Sequence, residues 1–428
     1  MPLARFGLVA ACALAALVAG PVPAAAPADP QSSKTAPATV QERHTLDSAV
    51  RELELRIESS ERLYHRADLD LYLQAIADKL LGTGALPAPG LVRVRVIKDA
   101  DANAFVLPNG AVYVTTALLC DLGSEAEVAS VLGHEIAHHT NSHALRAMRD
   151  QNSQAQGSRV ARTVLGVLVG IASASVTGTF VAVVPGETGM LPRQAAEVWA
   201  LASISGYSSA FEREADYEGL RRLAAAGYDT AAAIAAFEHL AAAADPEDVS
   251  QAAHLASGPK IEERITSYRA LLAAEFAQAS GPDRFVGHDE YAAAVAGIGL
   301  EQVAVLVNSN KLKRAQALVE VEIARGDSAL AAYLEGEIAR RTVPRTPETE
   351  ARALAAYGRA TTLPQPPAAA YREQGIIYRR RGDGAAALVA FRAYLERAPT
   401  AADAPIVRLY VEALATPGPD AAPTRSDP

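Results

Sequence analysis

Five consecutive residues, His134-Glu135-Ile136-Ala137-His138, hold the densest group of histidines in the chain. On a helix that spacing puts both imidazoles on one face, as two ligands of a tetrahedral zinc must be, and turns Glu135 away by one residue towards a water at the metal. A carboxylate so placed takes the water's proton, while the metal lowers the water's pKa and polarises a scissile carbonyl. A catalytic zinc needs a third protein ligand and one open position. Phe211-Glu212-Arg213-Glu214-Ala215-Asp216 offers two carboxylates, Glu212 and Asp216, on one helix face, with Glu214 roughly opposite. One of the pair suits the metal, and the other a hydrogen bond to a ligand histidine or to the reaction centre. Asp216, near two arginines, also fits a surface ion pair. His139 and His143 lack the combination of spacing and face that a ligand needs and are expected to be structural.

These groups require two helices and something to hold them. Ser124 and Glu127 form a capping box that starts the histidine-bearing helix, whose apolar residues Val131, Leu132, Ile136 and Ala137 carry it to about Met148. Before it, Val92, Val94 and Val96 alternate with Arg93 and Arg95, the period of a strand. Residues 103–107 and 111–115 flank Pro108-Asn109-Gly110 and predict a hairpin. Residues 46–81 repeat apolar positions every three or four residues and predict one or two amphipathic helices. Helical patterning resumes over 195–276, interrupted at Gly227, Asp245-Pro246 and Gly258-Pro259.

The rest of the chain bounds its class. With 428 residues, half of them hydrophobic, it can bury a substantial core and a second unit. A formal charge of −9 offers no basic surface for a phosphate backbone, so polypeptides are the expected partners and nucleic acid is not. Arg5, the apolar run 6–19 and Ala24, Ala25 and Ala26 read as an export signal over residues 1–26. An N-terminal anchor and a lipidated Cys12 are the alternatives. Cleavage would leave Cys120 as the one cysteine, so no intrachain disulfide is expected. Residues 163–185 carry no charge and suit a membrane span, a lid over the cleft or peripheral contact with lipid. A single span would leave the two halves of the site on opposite sides of a bilayer.

From about Val303 a repeat emerges. Tyr371, Gly375, Tyr378, Gly382, Ala387, Phe391 and Pro399 fall at the offsets of a 34-residue tetratricopeptide unit, with Tyr394 where a small residue is usual. Gly336, Ala339, Ala353, Tyr357 and Ala360 align as an earlier copy, with an insertion over 343–347 between its helices. A weaker half-copy lies at 315–323. Such helix pairs stack into a solenoid with a concave face.

The chain resembles the HtpX-like and CAAX prenyl protease-like gluzincins, most closely their soluble periplasmic BepA-type branch with C-terminal tetratricopeptide repeats. Asn103-Ala104-Phe105 with Pro108, residues 113–116, 124–143 around the histidines, Gly206-Tyr207-Ser208, 212–216 and Glu262-Glu263-Arg264-Ile265 carry the likeness. The resemblance implies one zinc per chain on His134, His138 and Glu212, with Glu135 as general base and Asp216 as a supporting catalytic residue or proton donor. It further implies a periplasmic endopeptidase acting on misfolded or stalled envelope proteins, whose repeats dock substrates or the outer-membrane protein assembly machinery. An assembly adaptor with a latent peptidase is the alternative. Two departures stand out. The family's His-Pro, whose histidine can close the zinc site, is Gly258-Pro259 here, with His254 four residues earlier; its Pro-Gly-Gly turn is Pro108-Asn109-Gly110.

An extended substrate is expected to pair with the edge of the 103–107 strand at Asn103, Ala104 and Phe105, gaining main-chain hydrogen bonds at alternate residues. The expected fold is mainly α: a leader over 27–42, a helical metallopeptidase domain with a small hairpin sheet over 43–280, a helical repeat domain over 281–415 and a tail over 416–428.

Overall fold

The computed structural model describes residues 40–60, 62–82, 92–147, 207–243 and 261–416. The signal segment, most of the leader, residues 163–185, Gly206, His254, Gly258-Pro259 and the tail from 417 lie outside the described residues.

The amphipathic stretch before the sheet forms two helices, α1 (Val40–Ser59) and α2 (Ala67–Leu81). Three strands follow, β1 (Arg93–Ile97), β2 (Ala104–Val106) and β3 (Ala111–Thr115), in the spatial order β1-β3-β2. β2 and β3 are the antiparallel hairpin expected from the turn signal, and β1 lies parallel to β3 with Val94 opposite Val112 and Val96 opposite Val114. In the turn the Gly110 amide donates to the Leu107 carbonyl at 2.9 Å, and Gly110 takes φ 86°, a region that disfavours any side chain. Asn109 makes the turn with its own side chain, which accepts from Ala111 N and donates to Glu54 on α1.

Both faces of the hairpin are covered. Val94, Val96, Val112, Val114, Ala104 and Val106 join α2 residues such as Leu69, Leu73 and Leu80 in the main core. On the opposite face Phe105, Leu107 and Tyr113 pack with Val50, Leu53 and Ile57 of α1. The period of two is therefore visible as exposure only in β1, where Arg93 and Arg95 face solvent; α1 removes it elsewhere.

Thr115 ends β3 and caps the short helix α3 (Thr116–Asp121), its hydroxyl accepting from Leu118 N. Ser124 caps α4 (Glu125–Thr140) through Glu127 N, while the Glu127 carboxylate reaches back past Ser124 to Gly123 N. Helix α4 stops at Thr140, short of Met148. Ser142 takes φ 53°, a left-handed conformation that an α-helix cannot continue through, and residues 143–147 then resume a helix.

Helix α5 (Ser209–Ala225) is capped by Ser208, and α6 (Ala232–Ala243) and α7 (Ile261–Leu271) complete the surroundings of α4. Helices α4 and α5 meet at two glycines. A methyl group on Gly133 would stand 3.2 Å from the Gly219 carbonyl oxygen, and one on Gly219 would stand 3.0 Å from the His134 nitrogen. Only hydrogen at both positions lets the two backbones touch.

The remaining helices are α8 (His288–Ala294), α9 (Ile298–Asn308), α10 (Leu312–Arg325), α11 (Ala329–Arg341), α12 (Pro347–Thr362), α13 (Ala368–Arg380), α14 (Gly384–Arg397) and α15 (Ala404–Ala415). Helix α8 packs on α2 and α4, and those from α9 onward form helical repeats. In α11 and α12 a side chain on Gly336 would strike the Tyr357 ring, and in α13 and α14 one on Gly375 would strike Phe391, so each pair closes as a glycine beneath an aromatic ring. The first core extends past residue 280 to Tyr291 and Ile298.

The repeats grip the loop that enters β2. Gln302 donates to the Asp99 carbonyl at 2.9 Å and accepts from Thr116 at 2.6 Å; Arg314 donates to the Ala100 carbonyl at 2.9 Å; Lys311 pairs with Asp101. Ala100 packs among Val303, Leu306 and Val307.

The glycine contact yields a test. Gly219→Val forces a branched side chain into the crossing and is expected to lower unfolding free energy by about 2–3 kcal/mol, as overpacking does. Gly326→Ala, where a methyl group meets nothing within 4 Å, should stay within about 0.5 kcal/mol of the parent. Urea unfolding of both variants measures the difference.

Candidate metal centre

Three side chains from two helices converge at the α4–α5 crossing. His134 Nε2 and His138 Nε2 lie 3.0 Å apart, and the Glu212 carboxylate stands 3.5 Å from the first and 3.6 Å from the second. Donors bound tetrahedrally to zinc at ~2.0–2.1 Å stand roughly 3.3 Å from one another, so this donor set matches a zinc in both atom type and spacing. Two imidazole nitrogens aimed at each other across 3.0 Å need a proton or a cation between them. Among the described residues it is the one His/Cys/Asp/Glu group found with such convergence.

The convergence follows from the crossing. His134 adjoins Gly133 on α4. Glu212 lies two helical turns before Gly219 on the same face of α5. The glycine contact thus sets how far the carboxylate stands from the imidazoles.

Each histidine is aimed from behind. His134 Nδ1 donates to Asp216 Oδ1 at 2.9 Å, which turns Nε2 towards Glu212. Asp216 also accepts from Tyr268 Oη at 2.8 Å and from Arg264 at 2.5 Å. His138 Nδ1 lies 2.9 Å from His143 Nδ1; with His138 Nε2 turned to the centre, its Nδ1–H is the donor. His143 faces Glu214 at 3.5 Å, and Arg146 holds Glu214 at 3.0 Å. The Tyr207 ring stacks on His138 with centroids 4.3 Å apart. The left-handed turn at Ser142 is what brings His143 back under His138.

Burial opposes charge on His134, but the Asp216 and Glu212 hydrogen bonds outweigh it and raise its pKa to about 9. Burial, then the neighbouring imidazoles, hold His138 well below its ordinary value. Burial pushes Glu135 up to about 7, with the Glu212 charge adding to the rise. Asp216 goes the other way: burial would raise it, yet Arg264 and His134 keep it below the usual carboxylate range. A carboxylate near 7 can hold and release a proton at neutral pH.

Glu135 is tied to the sheet. The Val106 main chain lies close enough to favour the charged Glu135 carboxylate. In the hairpin, Asn103, Phe105 and Leu107 bond or face β3, with Thr115 N donating to Asn103 O and Leu107 N to Ala111 O, so the amides and carbonyls of Ala104 and Val106 point to the outer edge. That edge faces Glu135. Asn103 is buried, and its Oδ1 finds no donor among the described residues. His139 lies near the Pro108 main chain at the hairpin turn.

The fold therefore gathers His134, Glu135, His138 and Glu212 at one point and puts Asp216 behind His134 instead of beside Glu135. Of the two tasks open to Asp216, a hydrogen bond to a histidine is the one its position matches. Arg264, Tyr268 and Tyr207 were not singled out for a role from sequence. Arg264 and Tyr207 lie in the resembling stretches, but nothing in their spacing points to residue 134 or 138, because α7 reaches the centre only through packing.

Residues 67–272 match the sequence profile of Peptidase family M48. The chain is 30% identical to the mitochondrial metalloendopeptidase OMA1 of Arabidopsis thaliana over 190 residues, 42% of this chain and 34% of that protein. It is 32% identical to the beta-barrel assembly-enhancing protease of Yersinia pestis over 135 residues, 31% of this chain and 25% of that protein. Against the protein of that name from Escherichia coli strain K12, identity is 31% over 140 residues, again 31% and 25% of the two chains. These matches span about a third or less of the relatives' own lengths.

Removing a donor and removing its support should differ. Glu212→Ala is expected to lose zinc on dialysis against a weak chelator, and Asp216→Asn to keep the site but bind zinc about 10–100-fold more weakly. Metal content by atomic absorption and competition with a zinc indicator distinguish the two.

Proposed function

Since the chain carries a Peptidase family M48 domain over residues 67–272, we infer that it is a zinc-dependent endopeptidase that hydrolyses polypeptides. The observation that carries this is the convergence of His134, His138 and Glu212 with Glu135 beside them. One zinc per chain, held by those three residues, would supply Lewis acidity towards water and the scissile carbonyl. Glu135 takes the proton of the attacking water on its carboxylate and returns it to the leaving nitrogen; a pKa near 7 suits both transfers. Asp216 holds His134 in the tautomer and orientation that present Nε2. Tyr268 and Arg264 in turn hold Asp216.

The outward amides and carbonyls of Ala104 and Val106 support edge pairing with an extended substrate, bringing main-chain carbonyls past Glu135 regardless of sequence. Of Asn103, Ala104 and Phe105, Ala104 supplies free main-chain groups at that edge, while Asn103 brings a buried Oδ1 without a donor among the described residues. Phe105 spends its main chain on β3 and its ring on the layer against α1, and so supports the edge strand from behind.

The relatives named for beta-barrel assembly support a place in the bacterial envelope and substrates among misfolded or stalled envelope proteins. Export by the N-terminal signal accords with a periplasmic site of action. Among the described residues no single helix is long and apolar enough to cross a membrane. The glycine-under-aromatic packing of the C-terminal helix pairs supports tetratricopeptide repeats that dock substrate or the assembly machinery.

Glu135→Gln keeps the three donors and removes the base. It is expected to retain zinc and to lose casein cleavage by about 10²–10⁴-fold. Chelation should abolish wild-type cleavage, and zinc should restore it. Zinc-loaded wild type that cuts nothing would make the chain an adaptor, and a chain that takes up no zinc would overturn the reading.

A further inference from the structure

The C-terminal repeats carry a second site of distinct chemistry. Two cavities of about 320 Å³ and 420 Å³ share Arg340, Arg345, Ile377 and Arg380, and so form one groove running across α11, α12, α13 and α15. Arg372 and Arg381 extend its rim. Five arginines therefore line a groove in a chain whose formal charge is −9.

The groove's own acids are already engaged. Glu373 pairs with Arg372 at 2.8 Å and with Arg340 at 3.5 Å. Glu350 is shared by Arg380 at 3.0 Å and Arg381 at 2.8 Å, and Asp403 by Arg372 and the Tyr394 hydroxyl. With Glu337, which holds Arg340 at 2.6 Å, four carboxylates thus face five guanidiniums. Arg345, exposed on the insertion between α11 and α12, has no carboxylate partner among the described residues. Each guanidinium carries more N–H donors than these pairs consume.

Between the arginines the floor is apolar and mostly aliphatic. Ile376, Ile377, Val407 and Tyr410 line it, and Ile406 is 52% exposed there. A ligand that fits must bring anionic groups and aliphatic groups in alternation. Extended polypeptide does this, since successive side chains point to opposite sides. A sugar-phosphate backbone brings the anions without the aliphatic groups, and the recessed groove does not present its charges to a flat lipid surface.

We propose that this groove binds extended acidic segments of polypeptide, with carboxylate side chains on the arginine rim and the intervening aliphatic side chains on the floor. A single terminal carboxylate would engage one arginine, whereas a run of Asp or Glu engages several. The groove would then select chains carrying such segments before the metal centre, which reads only backbone, acts on them. This rests on the reading of the chain as one that acts on polypeptides, but binding can be measured without cleavage.

The probe is a short fluorescein-labelled peptide of alternating glutamate and leucine, amidated at its C-terminus, titrated into full-length Glu135→Gln protein and followed by anisotropy. Binding is expected to weaken at least ~tenfold when glutamine replaces glutamate, and to weaken similarly when serine replaces leucine. Arg345→Glu with Arg380→Glu should give a loss of about tenfold or more, with the circular dichroism melt checking that the helices persist. Should that pair unfold the repeats, Arg345→Gln alone, at an exposed and unpaired position, is expected to weaken binding about threefold. Equal binding of the glutamine peptide, or unchanged affinity in the arginine variants, overturns the proposal. So does tighter binding, through the same arginines, of a single-stranded oligonucleotide or of phosphatidylglycerol vesicles. A protein that binds the peptide but never cleaves casein would leave the groove standing and remove the metal-centre reading; the reverse result would do the opposite.

Discussion

Helices α4 and α5 cross with backbone against backbone, and the candidate centre depends on that contact. Glycine at 133 and 219 removes the side chains that would hold the helices apart, and a single methyl group at either place would already crowd the facing backbone. The donor atoms sit within one or two turns of the crossing, so an added separation of the helix axes passes almost undiminished into the distance from Glu212 to the imidazoles. A site whose donors must lie within a few tenths of an ångström of tetrahedral spacing tolerates little of that. Asp216, one turn from Gly219, reaches His134 for the same reason.

Around this crossing the protein buries charge that needs compensation. Glu212, Asp216 and Glu135 lie within one small volume, with Arg264 as the cation that touches two of them. Burying carboxylates costs several kcal/mol each unless a partner offsets it, and a bound dication would supply the positive charge that one guanidinium does not. Metal binding and stability are then linked, because the folded chain presents the donors together and the unfolded chain does not. The Arg264 guanidinium carbon lies 4.6 Å from the centre of the Phe237 ring, a cation–π contact.

The repeats are part of the same mechanical unit. Gln302, Lys311 and Arg314 hold the loop at residues 99–101 from which β2 departs, and β2 in turn presents Val106 to Glu135. The loop before the edge strand and the first repeat helices are joined by hydrogen bonds, so the strand's position relative to Glu135 is not left to an isolated hairpin.

Much of this was legible in the sequence, and the legible part is local. The four-residue spacing of His134 and His138 and of Glu212 and Asp216 states which groups share a helix face. Ser124 with Glu127 marks a helix start, Asn109-Gly110 marks the turn, and the recurrence of Gly336 with Tyr357 and Gly375 with Phe391 marks the repeated helix pairs. All of these depend on backbone geometry over a few residues, which composition and period encode directly. The break at Ser142 was missed because left-handed backbone there is repaid by a contact, His143 to His138, visible only once the turn exists. The parallel pairing of β1, the layer of α1 over the hairpin, Arg264 and Tyr268 behind Asp216, and the arginine groove across four helices all bring together residues far apart in the chain. By itself the sequence determined which atoms could bind a metal and on which helix faces they lie. Only the tertiary structure decided that those faces meet, that Asp216 stands behind a histidine, and that β2 turns its free edge to Glu135, because helix crossing and strand order follow from steric fit between surfaces that do not exist until the chain has folded.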